Sequence, residues 1–380
     1  MTKVSIIIPT FNRPEYLGRP LYYYNGYKIN YKIIVADSSS EKNKMINQEK
    51  ISLCGNLNVQ HLKNYLEEID LLHKITDALN YVQTEYCVFC ADDDFIVPSA
   101  IEKCIDFMEK NPDYSIVQGR YCSHLLKKRK NGEVEFGWAP AYYYGKSIIF
   151  DNPSERLKFH LSDYQSPTFY GVHRTDILRL VFKEVSGITL HGRLAEIILS
   201  GLTLIYGKMG ILNVFYGSRE AGSISIDRSY SFDSRPYSSL YWSSFLAENT
   251  YEEEYKRAVG CLARNLQKNT ELDLDFAMET AKKSFDSYLD SVKPRLFQKI
   301  CSKIFYLLCE ILPESQSKNL FFKYEQLQKK ISSLSSKDVK KEYCDFLEEN
   351  DLKFNENLNR IKEVVVIFNP ILLNKKQLLR

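Results

Sequence analysis

Apolar residues form three near-continuous runs in the first hundred positions, at residues 4–8, 31–36 and 86–90. Short runs rich in β-branched and aromatic residues predict strands that are buried on both faces. A helix is predicted to begin at Pro14, which suits a first helical turn, and a second helix is predicted over residues 64–82. This alternation predicts parallel strands in a doubly wound α/β sheet with flanking helices.

The hydrophobic pattern changes near residue 240. After a segment rich in serine and tyrosine at 229–239, apolar positions recur every three or four residues, which is typical of helices. We therefore predict an α/β domain over 1–228 and an α-helical C-terminal domain over 240–380. Within the second domain, the β-branched run at 364–368 predicts a terminal strand.

Composition narrows the class of protein. The 380 residues contain 51 basic and 48 acidic side chains, so the net charge of +3 is too balanced to indicate a nucleic-acid partner. The nine cysteines show no paired metal-ligand spacing, and their apolar surroundings favour reduced thiols. The opening apolar run is shorter than a signal peptide or a membrane span requires. These features predict a cytoplasmic enzyme.

Three consecutive acids, at positions 92–94, follow the third apolar run directly. In open α/β sheets, ligands bind beyond the carboxyl ends of the strands, where these acids are expected to lie. Carboxylate oxygens suit Mg²⁺ or Mn²⁺ bound together with a phosphate-bearing substrate. The alternative is a solvated acidic turn.

Two further observations concern nucleotide binding. Asp37 ends the second predicted strand, where its carboxylate could accept hydrogen bonds from a base or a ribose. The chain contains neither of the glycine-rich phosphate-binding motifs, G-x-G-x-x-G and G-x-x-x-x-G-K-[ST]. Their absence from the sequence argues against dinucleotide oxidoreductases and P-loop NTPases.

Three segments resemble, in this order, motifs of family 2 glycosyltransferases with the GT-A fold. Residues 4–14 resemble the opening strand, residues 34–39 the second strand with its nucleotide-binding Asp, and residues 90–95 the metal-binding DxD. The longer segment 84–98 is similar to a bacterial subfamily associated with surface polysaccharide assembly. The resemblance covers residues 1–225. It implies transfer of a sugar, with inversion, from a nucleotide-diphosphate donor to a hydroxyl of a glycan or a lipid-linked acceptor.

The same resemblance implies a set of site residues. Asp94 is the first metal ligand, for Mn²⁺ or Mg²⁺, and Asp92 is either a second ligand or a ribose contact. Asp93 ranks below both, because it could instead point into the sheet and cap a backbone turn. The donor contacts implied are Pro9, Thr10, Asn12, Asp37, Lys74, Asp92, Asp93 and Arg219.

Each donor contact has an expected role. The loop after the first strand is expected to read a base edge, and Lys74 matches a position that is often basic and contacts the nucleotide. The alternative for Lys74 is a surface lysine on an amphipathic helix. Arg219 lies where the resembled family closes a loop over the diphosphate, and arginine suits a diphosphate through its paired N–H groups.

Glu196 is the residue implied as general base for the acceptor hydroxyl. It is followed by three apolar residues, and the alternative is a glutamate on the solvated face of a helix. His191 is a second candidate for the base or for a metal ligand, and Asp163 is a candidate for acceptor contact. The aromatic segment 166–174 could stack against an acceptor sugar or form a buried strand.

Two other functions fit the same fold. Sugar-nucleotide nucleotidyltransferases share the sheet architecture, but the loop after the first strand lacks the glycines and arginines usual in that class. A binding protein that keeps the fold without turnover is the third reading.

One C-terminal segment predicts a membrane contact. Arg295, Lys299 and Lys303 share a helical face beside an apolar one, which is typical of helices that lie on anionic lipid. We expect weak, salt-sensitive peripheral contact with the cytoplasmic face of the membrane. The alternative is a helix that packs its apolar face within the C-terminal region.

Overall fold

The computed structural model of the protein describes residues 2–128, 134–141, 145–164, 168–188, 192–220, 251–292 and 336–367. The strands are β1 Val4–Thr10, β2 Lys32–Asp37, β3 Asn58–Leu62, β4 Tyr86–Phe89, β5 Phe95–Ile96, β6 Tyr114–Lys128, β7 Val134–Ala141, β8 Val172–Arg174 and β9 Lys208–Glu220. The helices are α1 Pro14–Tyr27, α2 Glu41–Ser52, α3 Leu71–Ala78, α4 Pro98–Lys110, α5 Pro153–Ser162, α6 Thr175–Val185, α7 Gly192–Tyr206, α8 Tyr251–Asn269, α9 Leu274–Val292, α10 Ser336–Asn350 and α11 Phe354–Ile367.

All nine strands within the described ranges belong to one sheet. Its first half has the order β3-β2-β1-β4 with every pair parallel, as the sequence predicts. The second half continues as β8-β6-β9-β5, with β7 paired to β6, and mixes antiparallel pairs with the parallel pair β6–β9. The predicted α/β fold is therefore confirmed, and antiparallel strands extend it.

Strands β1 and β4 separate near their carboxyl ends. Their pairing ends at Ile7 and Phe89, where Cys90 N donates to Ile7 O at 3.0 Å, whereas β1 stays paired with β2 as far as Thr10. Pro9 has no N–H with which to donate the next ladder hydrogen bond to β4. Because the chain order reverses between these two strands, a crevice opens there at a topological switch point of the sheet.

Helices cover both faces of the sheet. Alternate residues of β1 point to opposite faces: Ile6 and Ile8 belong to one core and Ile7 to the other. The first core packs against α1, α4, α10 and α11, and the second against α3 and α5 to α9. The described part of the C-terminal region is helical, as predicted, and its helices pack on the same two faces. The boundary between the two domains remains a prediction.

The helix predicted over 64–82 is shorter in the structure. Helix α3 spans eight residues, a 3₁₀ turn follows at Leu79–Tyr81, and strand β3 lies before it. The sequence of β3, Asn-Val-Gln-His-Leu, has few apolar residues because the strand forms the edge of the sheet and is only half-buried. Strands of this kind lack the apolar run from which β1, β2 and β4 were predicted.

The predicted terminal strand at 364–368 is wrong for the described residues. Positions 364–367 end helix α11, and Val364 and Val365 are buried in the first core. Burial on the sheet outweighs the weak preference of β-branched residues for strands. None of the helices within the described ranges is long and apolar enough to span a bilayer.

Strand β5 directly follows the acids and is held by β9. Phe95 pairs with Ser218 and Ile96 with Gly217. A Cβ atom at Gly217 would lie 2.4 Å from Phe95 O, so only glycine allows the two backbones to approach this closely. The position of the acidic turn therefore depends on a close contact with a strand more than 100 residues further along the chain.

We expect Gly217→Ala to push β5 away from β9 and to lower the free energy of unfolding by about 1–3 kcal/mol. Gly55→Ala is the matched control, since a Cβ there meets no atom within 4 Å and φ is not positive. Denaturant unfolding of both variants checks this. A Gly217 variant as stable as the Gly55 variant would show that the strands can move apart at no cost.

Candidate active site

The carboxyl ends of three parallel strands bring the predicted residues together at the crevice. Thr10 ends β1, Asp37 ends β2, and the acidic turn follows β4. Thr10 Oγ1 donates to Asp92 Oδ2 at 2.7 Å, and Thr10 lies opposite Asp37 in the β1–β2 register. The expected clustering of acids at this edge of the sheet is therefore observed.

Asp92 is enclosed by protein atoms. Its side chain is only 1% exposed, Oδ2 accepts the Thr10 hydroxyl, and Oδ1 pairs with Nη2 of Arg13. Burial raises the pKa of Asp92 to about 6, although the charge of Arg13 acts in the opposite direction. The charged form of Asp92 is therefore stabilised by a neighbouring cation, in place of the water that burial removes.

Asp94 has a different pair of partners. Its Oδ1 accepts the backbone N–H of Glu220 at 2.9 Å, and its Oδ2 lies 3.3 Å from Nε of Arg219. Burial raises the pKa of Asp94 to about 7, and the charge of Arg219 opposes this shift. Strand β9 thus supplies both contacts.

Asp93 faces the solvent side of the turn. Its Oδ2 lies 3.0 Å from Nη1 of Arg13, and its side chain is 25% exposed. The alternative of a side chain that points into the sheet is wrong, because Asp93 shares the guanidinium of Arg13 with Asp92.

The acids of the turn could supply only part of the coordination shell of a divalent cation. Within the described residues, no group of three or more His, Cys, Asp or Glu side chains could hold a metal ion. Mg²⁺ usually takes only one or two carboxylates and completes its shell with water and phosphate oxygens. The buried oxygens of Asp92 and Asp94 match that donor set, and the acidic turn is not the solvated one of the alternative reading.

Asp37 is fully buried and bound by the protein itself. Its Oδ1 accepts Ser39 N at 2.9 Å, and its Oδ2 accepts Asn47 Nδ2 at 2.8 Å and pairs with His61 Nε2 at 2.9 Å. Burial opposes the charged form, but these hydrogen bonds outweigh it and lower the pKa of Asp37. The structure places Asp37 at the site as an anchor for the loop after β2. A direct contact with a base or a ribose remains a prediction.

Asn12 anchors the loop after β1. Its φ of 52° lies in the left-handed region, which Asn tolerates better than most residues. Its side-chain oxygen accepts Ser40 N and Asn43 Nδ2, both at 2.9 Å, and its own N–H donates to Ser39 Oγ. Asn12 therefore ties two strand-to-helix loops together. The predicted contacts of Pro9 and Asn12 with the donor remain untested.

Lys74 is buried, so the surface-lysine alternative is wrong. Its Nζ donates to Thr10 O at 3.0 Å and to Ser38 Oγ at 2.8 Å, which places the ammonium group between the ends of β1 and β2. Burial lowers the pKa of Lys74 to about 8, partly offset by the charges of Asp92 and Asp37. A buried cation thus lies between the carboxyl ends of two of the strands that form the site.

Glu196 lies on α7 beside an aromatic cavity. Tyr164 Oη donates to Glu196 Oε1 at 3.3 Å. The cavity is lined mostly by apolar and aromatic side chains, with Thr168, His173 and Thr203 among them. Phe89, the last residue of β4, also lines it, which links Glu196 to the strand that carries the acids. Glu196 is half-buried, so it does not lie on a solvated helix face.

Tyr170 contacts Arg219 and lies near both Asp94 and Glu196. The guanidinium of Arg219 lies 4.4 Å from the centre of its ring. Burial raises the pKa of Tyr170, and the charges of Asp94 and Glu196 add to this effect, so both acids lie near the ring. In the aromatic segment, Val172–Arg174 forms buried strand β8 and Phe169 stacks on Phe89 at 4.9 Å.

Sequence reasoning missed two arginines of this site. Arg13 lies in the recognised loop motif, where it is the one cation, and that position was the available signal. Arg19 is 1% exposed and its Nη1 lies 2.5 Å from Glu220 Oε2. Since 201 residues separate Arg19 from Glu220, no local pattern could reveal this pair.

Several predicted residues fall elsewhere. Asp163 is exposed at the end of α5, and its acceptor role remains a prediction. His191 and the basic face formed by Arg295, Lys299 and Lys303 lie outside the described residues, as does segment 229–239.

Comparison with known proteins finds a family model that matches the N-terminal part of the chain. Residues 5–174 match the family model described as Glycosyl transferase family 2. A search of curated proteins finds no significant match. Among solved structures, S. aureus TarS is 15% identical with a TM-score of 0.42, over 77% of this chain and 55% of that one. The chain thus spans little more than half of TarS.

Two other solved structures are complexes. Residues 1–349 of TarS with UDP-GlcNAc are 14% identical, over 77% of this chain and 90% of that one, with a TM-score of 0.41. The mannosyltransferase PcManGT from Pyrobaculum calidifontis, in complex with GDP-Man and Mn²⁺, is 12% identical over 84% of each chain, with a TM-score of 0.39.

We expect Asp37→Asn to lower the free energy of unfolding by about 1–3 kcal/mol in the absence of nucleotide, because His61 and Asn47 lose a charged acceptor. Asp275→Asn, in the first turn of α9, is the exposed control. Denaturant unfolding of the nucleotide-free protein measures the effect. If Asp37 acted on the nucleotide alone, both variants would match the wild type.

Proposed function

We propose that this protein, whose residues 5–174 match the family model described as Glycosyl transferase family 2, is a metal-dependent, inverting glycosyltransferase. It would move a sugar from a nucleotide-diphosphate donor to a hydroxyl group of a glycan or a lipid-linked acceptor. The observation that carries the proposal is the pair of buried carboxylates, Asp92 and Asp94, each paired with an arginine at the switch point of the sheet.

The reaction needs one new bond, one broken bond and one proton transfer. The acceptor oxygen bonds to the anomeric carbon from the face opposite the leaving group, and the bond from that carbon to the diphosphate oxygen breaks. The acceptor proton passes to a carboxylate of the enzyme, for which Glu196 is the candidate. Two observations support this assignment: Glu196 and Phe89, the last residue of β4, line the same cavity, and the charge of Glu196 acts on Tyr170.

The leaving diphosphate carries negative charge that the site must stabilise. A divalent cation held by Asp92 and Asp94 would neutralise part of it without proton transfer. Arg219, on strand β9, pairs with Asp94, and its planar guanidinium suits two phosphate oxygens. The ring of Tyr170 under Arg219 limits where that guanidinium can point. Lys74, beneath the strand ends, adds positive charge on the donor side.

The proposed setting is the cytoplasmic assembly of a bacterial surface polysaccharide, and the motif at 84–98 supports it by resemblance. A lipid-linked acceptor would be reached from the cytoplasmic face of the membrane, by peripheral contact.

The proposal is tested with a panel of nucleotide sugars in the presence of Mn²⁺ or Mg²⁺. Release of nucleoside diphosphate together with transfer to an acceptor supports it. Formation of pyrophosphate from a nucleoside triphosphate and a sugar phosphate would show a nucleotidyltransferase instead. Donor binding without release of any product would show a binding protein.

We expect the double variant Asp92→Asn, Asp94→Asn to lose about 10³-fold or more of metal-dependent transfer, because the charge that holds the cation is gone. Asp106→Asn with Asp345→Asn removes the same charge from exposed helix positions and serves as the control. Initial rates with the active donor measure both. Undiminished turnover in the first variant would contradict the metal assignment.

We expect Glu196→Gln to lower kcat by about 10²- to 10⁴-fold, since an amide cannot accept the acceptor proton. Donor affinity, measured by calorimetry, should remain that of the wild type. The exposed Glu155→Gln on α5 is the matched control. A variant with normal kcat, or one whose donor affinity falls in parallel, would exclude Glu196 as the base.

A further inference from the structure

We propose that Arg13 and a divalent cation compete for the same carboxylates, and that the displaced guanidinium of Arg13 becomes a ligand of the donor diphosphate. This inference rests on the proposed function, because it assumes that a cation and a diphosphate bind at the acidic turn. It adds a second role for the loop after β1, which the sequence motif alone does not assign.

The first argument concerns the oxygen atoms of Asp92. Oδ2 accepts the buried Thr10 hydroxyl, so Oδ1, which pairs with Arg13, is the oxygen left for a ligand. Asp92 is 1% exposed, whereas Arg13 is 38% exposed. Arg13 therefore lies on the solvent side of Asp92. A cation that binds Oδ1 competes with this guanidinium, because both are positively charged and use the lone pairs of the same oxygen.

The second argument concerns the freedom of Arg13 to move. Its guanidinium contacts two carboxylates and lies 4.9 Å from the ring centre of Tyr16, at the rim of the site. Arg19 gives the contrast: it is 1% exposed and its carboxylate partner, Glu220, is 5% exposed. Arg19 is enclosed by protein atoms, whereas the side chain of Arg13 is partly open to solvent. Arg13 is therefore the exchangeable cation and Arg19 a fixed one.

The third argument is charge balance. Three carboxylates face two guanidinium groups, those of Arg13 and Arg219. A divalent cation added alone takes the carboxylates and leaves Arg13 without a counter-charge. A diphosphate added with the cation supplies that counter-charge, and the two additions nearly cancel. The cation and the diphosphate should therefore bind cooperatively, with Arg13 as the group that couples them.

If Arg13 exchanges in this way, its removal should raise the affinity for the cation alone and reduce the effect of a diphosphate on that affinity. A merely structural role for Arg13 would not predict these opposite changes. Removing the guanidinium removes a competitor, so the cation alone should bind more tightly. The same change removes a phosphate ligand, so the gain in cation affinity caused by a diphosphate should shrink. Loss of loop structure would weaken both.

The test measures free Mn²⁺ by electron paramagnetic resonance during titration of the full chain, first alone and then with UDP or GDP. For Arg13→Gln we expect about tenfold tighter binding of Mn²⁺ alone, and about tenfold less enhancement by the nucleotide. Arg257→Gln removes an exposed arginine that pairs with Glu253 on α8, and it should match the wild type in both. Arg13→Lys keeps a competing charge and should restore weak binding of Mn²⁺ alone.

Unchanged or weaker binding of Mn²⁺ alone by Arg13→Gln would overturn the exchange, as would full enhancement by the nucleotide in that variant. Either result leaves the proposed function intact if the wild type binds Mn²⁺ with a nucleotide. If the wild type binds no Mn²⁺ under any of these conditions, metal dependence fails and the exchange fails with it.

Discussion

Carboxylates that are removed from water stay ionised only if cations or hydrogen-bond donors replace the lost hydration. The acidic turn after β4 obeys this constraint, and much of the molecule follows from it. Arg13 reaches the turn from the loop after β1, and Arg219 reaches it from β9. Strand β9 must in turn run close to β5, which requires Gly217. The elements that surround the turn are thus arranged to supply positive charge to it.

The parallel half of the fold could be predicted because buried strands leave an apolar run in the sequence, as β1, β2 and β4 do. The edge strand β3 leaves none, since half of its surface faces solvent. The sequence predicts a strand at the end of helix α11, because Val364 and Val365 favour strands locally. Their burial on the sheet, which favours the helix, is known only from the three-dimensional structure. Tertiary packing therefore decides the elements that local pattern misassigns.

The candidate site could likewise be predicted only in part. Acids at strand ends could be placed from sequence, because parallel strands end at one edge of the sheet. Their partners could not, since Arg219 meets Asp94 across 125 residues. The C-terminal helices contribute in a similar, unpredicted way: Tyr343 Oη donates to Tyr121 O at 2.6 Å, and Asp351 Oδ2 accepts Phe215 N at 3.0 Å. These contacts support strands β6 and β9 from a region that carries no recognised motif.

Strand β9 contacts residues of the first hundred positions, which lie far from it along the chain. This distance implies an order in which the contacts form during folding. Closing a long loop costs more entropy than closing a short one, and a chain is synthesised from its N-terminus. Strands β1 to β4 can pair while the ribosome is still producing the second half of the sheet. The acidic turn, however, receives Arg219 and the Glu220 N–H only when β9 has emerged. The parallel pairs among β1 to β4 can therefore form before the site is complete, and the acidic turn has all of these partners only after residue 220 has been translated and folded.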